Sequence, residues 1–293
     1  MSFLQILVLS IVQGLAELLP ISSSAHVVVA EKLMGIDPSS PQATLLLVLL
    51  HTGTMFAVVA YFWKRWQVSF FRDQGMMTKT VLGLGVATGM TGIVGEMLVV
   101  AIEHLWLRWF RGNPQAEVEQ LFSHLELIAP ALAAVGLLIL IASKSNAAEA
   151  ASASENELSP RVAPKQAVIV GVVQGLSLPF RGFSRSGATI STAMLAGVDK
   201  RQAEDFSFAL AVILTPPVVV RETLRLVKAQ RVVQGDLFSG MSLGIVGGFC
   251  AFLTGLLALR WLSQWLEGGR WRYFGVYCLL ASAVVTALYY LGY

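Results

Sequence analysis

Long apolar segments separated by short polar stretches run through the whole chain. Six of them are long enough to cross a membrane as single helices, since about 20 apolar residues span the hydrocarbon core. They lie at residues 43–63, 81–106, 122–142, 206–227, 241–262 and 273–291. The fourth contains Pro216 and Pro217 and is predicted to be a kinked helix, because neighbouring helices can satisfy the carbonyl groups that proline frees.

Two further apolar segments, residues 4–34 and 167–198, are each broken near the middle by Pro, Ser, Gly and charged residues. Their halves of about 12–15 residues are too short to cross a membrane alone. The pattern predicts two re-entrant helix hairpins, each of which enters the membrane and returns to the same side. Irregular backbone at that depth is tolerated only where it is buried in protein or lines a cavity.

The two broken segments resemble each other in sequence. Gln13-Gly14-Leu15 aligns with Gln174-Gly175-Leu176, and the breaks that follow also align. Three predicted spans separate the hairpins, so the hairpins enter from opposite faces. Residues 1–142 are therefore predicted to be the first unit of an inverted-topology repeat, 143–166 a polar linker, and 167–293 the second unit. Paired interrupted segments of this kind indicate a binding site at the repeat interface, near the middle of the membrane.

Composition and charge narrow the class of protein. Residues of the set AVILMFWYC make up 55% of the chain and charged residues only 13%, which excludes a soluble enzyme. The net charge of +3 is too small to indicate nucleic-acid binding. Twice as many Lys and Arg residues fall on the linker face as on the other, so that face is predicted to be cytoplasmic and the first hairpin to open to the exterior. The fold class is an all-α polytopic membrane protein.

The first break carries a distinctive set of polar residues. Gln13 and Glu17 are spaced to lie on one helix face. Pro20 ends that helix, residues 22–24 are serines that can cap the next one, and His26 lies in its first turn. An ionised carboxylate at membrane depth is costly, so we expect Glu17 to have a partner: a metal ion, a cationic side chain, or water and backbone amides.

The second break combines a guanidinium with hydroxyl groups and a flexible glycine just before a half-helix, at Ser184, Arg185, Ser186, Gly187 and Thr189. Backbone amides at a helix N-terminus attract anions, and Arg presents a planar donor fork that suits phosphate oxygens. The pattern indicates a phosphate-binding cradle. Alternatively, Arg185 neutralises Glu17 across the repeat interface, and the two roles are compatible.

Together the breaks supply the groups that phosphoryl transfer on a lipid requires. His26 can move a proton near neutral pH, and a serine hydroxyl can attack phosphorus if a base activates it. Glu17 and Gln13 offer oxygen ligands for a hard divalent cation such as Mg²⁺ or Ca²⁺. The sequence contains no Cys/His cluster, which argues against zinc.

Two long stretches resemble the signatures of the bacterial undecaprenyl-pyrophosphate phosphatase family. They are QGLAELLPISSSAH at residues 13–26 and GFSRSGATIS at residues 182–191, in the family's order and separation. The resemblance extends over nearly the whole chain. It implies a multi-pass enzyme of the bacterial cytoplasmic membrane whose active site faces the exterior. Such an enzyme hydrolyses undecaprenyl pyrophosphate to undecaprenyl phosphate and inorganic phosphate, which recycles the lipid carrier for cell-wall synthesis and confers bacitracin resistance.

The resemblance also implies roles for individual residues. The catalytic residues are Glu17, Ser23, His26 and Arg185. The substrate-binding residues are Ser22, Ser24, Ser184, Ser186, Gly187 and Thr189. Gln13 and Glu17 are the implied ligands of a divalent cation, Mg²⁺ or Ca²⁺, held weakly because Gln13 stands where some members have Glu. The implied partners are the lipid substrate and membrane lipids, without nucleic acid, and a homodimer is left open.

Several alternatives remain open at this point. A polyprenyl-phosphate transporter or flippase would use the same cleft without hydrolysis, because inverted repeats with broken helices are typical of secondary transporters. The attacking group is a serine hydroxyl or a water molecule. Arg181 is a second phosphate ligand or, as we favour, a charge that snorkels or pairs locally. For His51 and Glu96 we favour packing or an interhelical hydrogen bond over a place in the cleft.

Overall fold

The computed structural model describes residues 1–38, 40–104, 125–149, 162–232 and 241–292. Within these ranges the chain forms ten helices and no strand, which confirms the all-α fold class. The helices are α1 (Phe3–Leu18), α2 (Ser23–Leu33), α3 (Pro41–Ser69), α4 (Gln74–Ala101), α5 (Leu125–Glu149), α6 (Pro164–Ser177), α7 (Arg185–Leu195), α8 (Lys200–Val232), α9 (Met241–Glu267) and α10 (Arg272–Tyr290).

Six of the described helices, α3, α4, α5, α8, α9 and α10, are long and apolar enough to cross a membrane. Most extend beyond the apolar runs that predicted them, because the polar residues at the ends of each run continue the helix. Both Pro216 and Pro217 lie inside α8. Helices α5 and α6 also extend into the two ends of the predicted linker. Residues 105–106 and 122–124 of the predicted spans and 150–161 of the linker lie outside the described residues.

The two broken segments fold as helix pairs that pack against each other, α1 with α2 and α6 with α7. Helix α1 begins at Phe3 because Ser2 and Gln5 form a capping box, in which each side chain bonds the other residue's backbone amide. It ends before Pro20. In the second break, Gly182 adopts a positive φ of 106°, a conformation that glycine adopts at little cost.

Each hairpin packs against a span of the opposite repeat. Helix α1 lies along α9, and α6 lies along α4 in the corresponding way. Gly14 faces the Ala251 carbonyl of α9, and Gly175, its counterpart, faces the Thr91 carbonyl of α4. Helices α5 and α10 occupy matching places in the two repeats and pack directly against each other. These paired contacts fit a duplicated architecture whose halves interlock.

Helix α7 lies in the interior of the molecule. Its residues from Ser186 to Met194 are all buried. Next to it, the largest apolar cluster joins side chains from both repeats, including the stacked rings of Phe62 and Phe208, whose centroids are 5.1 Å apart. The helix that follows the second break is therefore held within the largest buried apolar cluster of the described residues.

A buried ion network also joins the repeats. Arg65 of α3 donates to Glu204 of α8 at 2.9 Å and pairs with Asp205 at 3.0 Å. Ser263 of α9 donates to the other oxygen of Glu204 at 2.6 Å. The Glu204 side chain is fully buried, so these contacts compensate for its removal from solvent.

Gly14→Ala should destabilise the protein, because the added Cβ would lie 2.7 Å from the Ala251 carbonyl oxygen and closer still to the Thr254 side chain. We expect a loss of about 1–3 kcal/mol in the free energy of unfolding. Gly89→Ala on α4 is the control, since nothing lies within 4 Å of its Cβ position. Thermal unfolding in detergent micelles checks both variants, and equal stability of the two would contradict the close packing of α1 on α9.

Arg65→Met should lower the free energy of unfolding by about 3–5 kcal/mol, because it leaves buried carboxylates without their cation. Adding Glu204→Gln and Asp205→Asn should recover most of the loss. Arg201→Met is the control, since Arg201 and its partner Glu267 are 67% and 43% exposed and exposed pairs contribute about 0–1 kcal/mol. If the triple variant is no more stable than Arg65→Met, the charge-based explanation is wrong.

Candidate active site

The breaks of the two hairpins meet at an ion pair. Glu17 lies in the last turn of α1, and Arg185 is the first residue of α7. Arg185 Nη2 donates to Glu17 Oε1 at 2.7 Å, and the two side chains are only 25% and 12% exposed. The expected partner of the membrane-depth carboxylate is therefore the arginine of the other repeat, within the described residues.

The second carboxylate oxygen of Glu17 collects three further groups. Ser23 Oγ donates to Oε2 at 2.5 Å, and Gln13 Nε2 donates to it at 3.2 Å. His51 of α3 places Nε2 at 3.6 Å from the same oxygen. Glu17 is thus the centre of the cluster, with a serine hydroxyl held against a group that can act as its base.

The structure places His51 in the cleft, beside Glu17. From sequence we favoured packing or an interhelical hydrogen bond over a place in the cleft, and the contact with Glu17 is both interhelical and part of the cluster. A histidine within a predicted membrane span is itself a signal for function. Glu96, considered together with it, is exposed on α4.

The backbone of the first break is unusual at Ser22, whose φ is +69°. A non-glycine residue in this left-handed region is strained and is often found at functional sites. Ser22 occupies the N-cap position of α2, but its side chain makes no capping bond, so that part of the expected capping is not observed. Its hydroxyl lies instead 3.3 Å from that of Ser24.

His26 is held at both ring nitrogens. Nδ1 lies 2.7 Å from the Ser22 carbonyl oxygen, and Nε2 lies 2.7 Å from the hydroxyl of Tyr277 on α10. The two rings stack with centroids 5.6 Å apart. Sequence reasoning missed Tyr277, because nothing in the pattern of an apolar span connects it with a histidine 251 positions away.

Hydrogen bonds within the protein shape the second break. Ser184 caps α7 by accepting from the Gly187 amide at 3.2 Å, and Ser186 donates to the Leu19 carbonyl of the first break at 3.3 Å. Thr189 donates to the Arg185 carbonyl at 2.8 Å and lies 2.6 Å from the Ser207 hydroxyl. These bonds position the turn that carries Arg185. Whether the same hydroxyls also bind substrate stays a prediction.

Gly187 allows the two breaks to touch. A Cβ at this position would lie 3.1 Å from the Pro20 carbonyl oxygen, and it would also crowd Val135 and Ile139 of α5. The absence of a side chain therefore lets α7 begin directly beside the end of α1.

Comparison with known proteins identifies the family. The model of the family described as bacitracin resistance protein BacA matches residues 6–284. The chain belongs to this family. A protein of Acinetobacter baylyi named undecaprenyl-diphosphatase 2 is 49% identical over 98% of both chains. One of the same name from Burkholderia orbicola is 32% identical over 96% of this chain and 95% of its own. An undecaprenyl-diphosphatase of Parabacteroides distasonis is 30% identical over 98% of each. The resemblance found in the two signatures is confirmed.

In this BacA-family chain the second repeat does not carry a copy of the cluster. Under the alignment of the two breaks, Leu178 stands where Glu17 does and Gly187 where His26 does. Arg181 acts electrostatically on the carboxylate of Glu31 in α2, and its role stays a prediction. Within the described residues, the two breaks therefore build one polar cluster jointly, separate from the ion network of Arg65.

Two protein donors, the Gln13 amide oxygen and the Glu17 carboxylate, could hold a divalent cation. Gln13 Oε1 is buried and has no hydrogen-bond partner, and Glu17 is close to it through Gln13 Nε2. Over the described ranges there is no group of three or more His, Cys, Asp or Glu side chains suited to a metal. One carboxylate and one amide suit Mg²⁺ when substrate phosphates complete its shell, so the cation stays a prediction with Gln13 and Glu17 as its ligands.

Arg185→Gln should lower the thermal stability of this BacA-family protein, because it leaves the Glu17 carboxylate without its cation. The double variant Glu17→Gln, Arg185→Gln should be more stable than Arg185→Gln alone. A double-mutant cycle by thermal unfolding in detergent should give a coupling of about 0.5–3 kcal/mol. Strictly additive losses would mean that the ion pair does not hold the two breaks together.

Proposed function

We propose that this chain is an integral-membrane undecaprenyl-diphosphatase, which hydrolyses undecaprenyl pyrophosphate to undecaprenyl phosphate and inorganic phosphate. Membership of the BacA family and full-length relatives named for this activity support the proposal. The observation that carries it is the Glu17 carboxylate, which accepts from Ser23 on one oxygen and from Arg185 on the other. The same carboxylate thus contacts a candidate nucleophile, for which it can act as the base, and a guanidinium that can bind phosphate.

Binding begins with Arg185. Its guanidinium presents paired donors that suit phosphate oxygens, and the substrate phosphates compete with Glu17 for them. As Arg185 turns to the pyrophosphate, Glu17 loses its neutralising partner and becomes a better acceptor for the Ser23 proton. Arg185 therefore both binds the substrate and, by leaving its ion pair with Glu17, makes that carboxylate available as the base.

Ser23 is the hydroxyl that this geometry favours as nucleophile, because at the two breaks it donates to the Glu17 carboxylate. Its Oγ attacks the terminal phosphorus while Glu17 takes the proton. The bond from that phosphorus to the bridging oxygen breaks, and undecaprenyl phosphate leaves. Water then hydrolyses the phosphoserine to regenerate Ser23 and release inorganic phosphate. His26, across the break, is placed to move a proton in these steps.

A divalent cation, Mg²⁺ or Ca²⁺, completes the proposal, with Gln13 and Glu17 as its protein ligands. When bound, it would stabilise negative charge on the phosphate oxygens. Ser22, Ser24, Ser184, Ser186 and Thr189 surround the two breaks with hydroxyl groups, and we assign them to the orientation of the pyrophosphate.

The cellular setting is part of the same proposal. The excess of Lys and Arg on the linker face supports a cytoplasmic position of that face, with the α1–α2 hairpin open to the exterior of the cytoplasmic membrane. Hydrolysis there would return the lipid carrier for another round of cell-wall synthesis and protect the cell from bacitracin. The interlocked repeats and meeting breaks also suit a flippase that moves the phosphate head group without hydrolysis.

Phosphate release from undecaprenyl pyrophosphate by protein in detergent micelles or liposomes tests the proposal. Glu17→Gln and Arg185→Lys should each lower kcat by about 100-fold or more, because they remove the base and the planar donor fork. Glu96→Gln is the control, since Glu96 is exposed on α4. A chelator should reduce the rate, and added Mg²⁺ or Ca²⁺ should restore it.

Unimpaired turnover in the Glu17 variant would overturn the assigned mechanism. Lipid that crosses the bilayer and is recovered intact, with no phosphate released by the wild-type protein, would favour the flippase. Activity that is unchanged by chelation would remove the cation from the proposal and leave the roles of Glu17 and Arg185 in place.

A further inference from the structure

Tyr277 is a polar residue at the candidate site that neither signature contains. It belongs to α10 of the second repeat, whereas His26 belongs to α2 of the first. Its hydroxyl lies 2.7 Å from His26 Nε2, and the two rings are nearly parallel, at 15°. Tyr277 is also 43% exposed, so the contact lies at the open side of the cluster.

The contact at the other ring nitrogen of His26, Nδ1, determines which of the two nitrogens carries the hydrogen. The Ser22 carbonyl oxygen, 2.7 Å from Nδ1, can only accept a hydrogen bond. Nδ1 therefore carries a hydrogen. In the neutral ring Nε2 is then the acceptor, and Tyr277 must be the donor.

The tyrosine hydroxyl can serve both protonation states of His26. It donates to Nε2 when the ring is neutral, and its oxygen accepts from Nε2–H when the ring is charged. The left-handed backbone of Ser22, with φ of +69°, forms the other contact at Nδ1. The ring is thus held at both ends by partners that tolerate a change in its charge.

In this arrangement His26 and Glu17 transfer different protons. Ser23 donates its hydroxyl to Glu17, so in this geometry His26 does not accept the Ser23 proton. We assign to His26 the second proton of the reaction, which is exchanged with the leaving phosphate or with the water that hydrolyses the phosphoserine.

We propose that Tyr277 is a positioning residue for the reaction: the Ser22 carbonyl holds His26 in the Nδ1–H form, and Tyr277, bonded to Nε2, holds the ring in the orientation that its proton transfers require. This inference rests on the proposed phosphatase function. Tyr277 acts through His26, so removal of its hydroxyl has no consequence for catalysis once His26 is gone.

Kinetics of Tyr277→Phe test the inference. We expect kcat to fall by about 10- to 100-fold, less than the full loss of a general acid or base, while KM and the thermal unfolding temperature stay near the wild-type values. In a His26→Gln background the same substitution should change kcat no further. Tyr273→Phe is the matched control, because Tyr273 is on the same helix, 48% exposed, with its hydroxyl near Arg272.

Nitrogen-15 NMR of labelled histidine supplies a readout that does not depend on turnover. The neutral His26 ring should show protonated Nδ1 in both proteins, because both keep the Ser22 carbonyl, and the Nε2 resonance should shift in Tyr277→Phe because that nitrogen loses its hydrogen bond. Unchanged kcat, a rise in KM alone, or an equal loss of kcat in the His26→Gln background would each overturn the inference. If the wild-type protein released no phosphate, the proposed function would fail, and the NMR result would still decide whether Tyr277 bonds Nε2.

Discussion

The ion pair between Glu17 and Arg185 is the interaction on which the rest of the cluster depends. At 2.7 Å it joins the ends of two half-helices that come from different repeats. A carboxylate at this depth is tolerated because the guanidinium neutralises it, and the backbone of Arg185 is in turn held by the hydrogen bond that its carbonyl accepts from Thr189. Ser23, Gln13 and His51 are placed around the other oxygen of the same carboxylate.

The two repeats share a scaffold but not a chemistry. Gly14 and Gly175 make corresponding close approaches to the spans of the opposite repeat. At the breaks the correspondence ends, because Leu178 replaces Glu17 and Gly187 replaces His26. The second break instead provides the cation and the small residue that lets the first break come close. The two predicted repeats thus have similar frameworks, and differences at a few positions make their breaks complementary halves of one site.

The sequence predicted the spans and the hairpins well because these depend on local properties, apolar length and the residues that interrupt it. The pairing of Glu17 with Arg185 was one of several partnerships that the sequence allowed, and observing it required the positions of the two residues in space. His51 was underrated because a single polar residue in a span has no periodic signal. Two features could not be predicted from the sequence. The contact of Tyr277 with His26 depends on tertiary packing, and the missing capping bond of Ser22 accompanies a backbone φ of +69°.

The interlocking of the repeats has a consequence for biosynthesis. Glu17 enters the membrane early, but its partner is synthesised 168 residues later. At common translation rates of about 5–20 residues per second, the carboxylate waits on the order of ten seconds or more for its counter-charge. During that interval α1 also lacks α9, the span against which it packs. The first hairpin therefore completes its folding only after most of the chain has been inserted, so the nascent protein must carry an unfinished, polar segment that the insertion machinery has to accommodate.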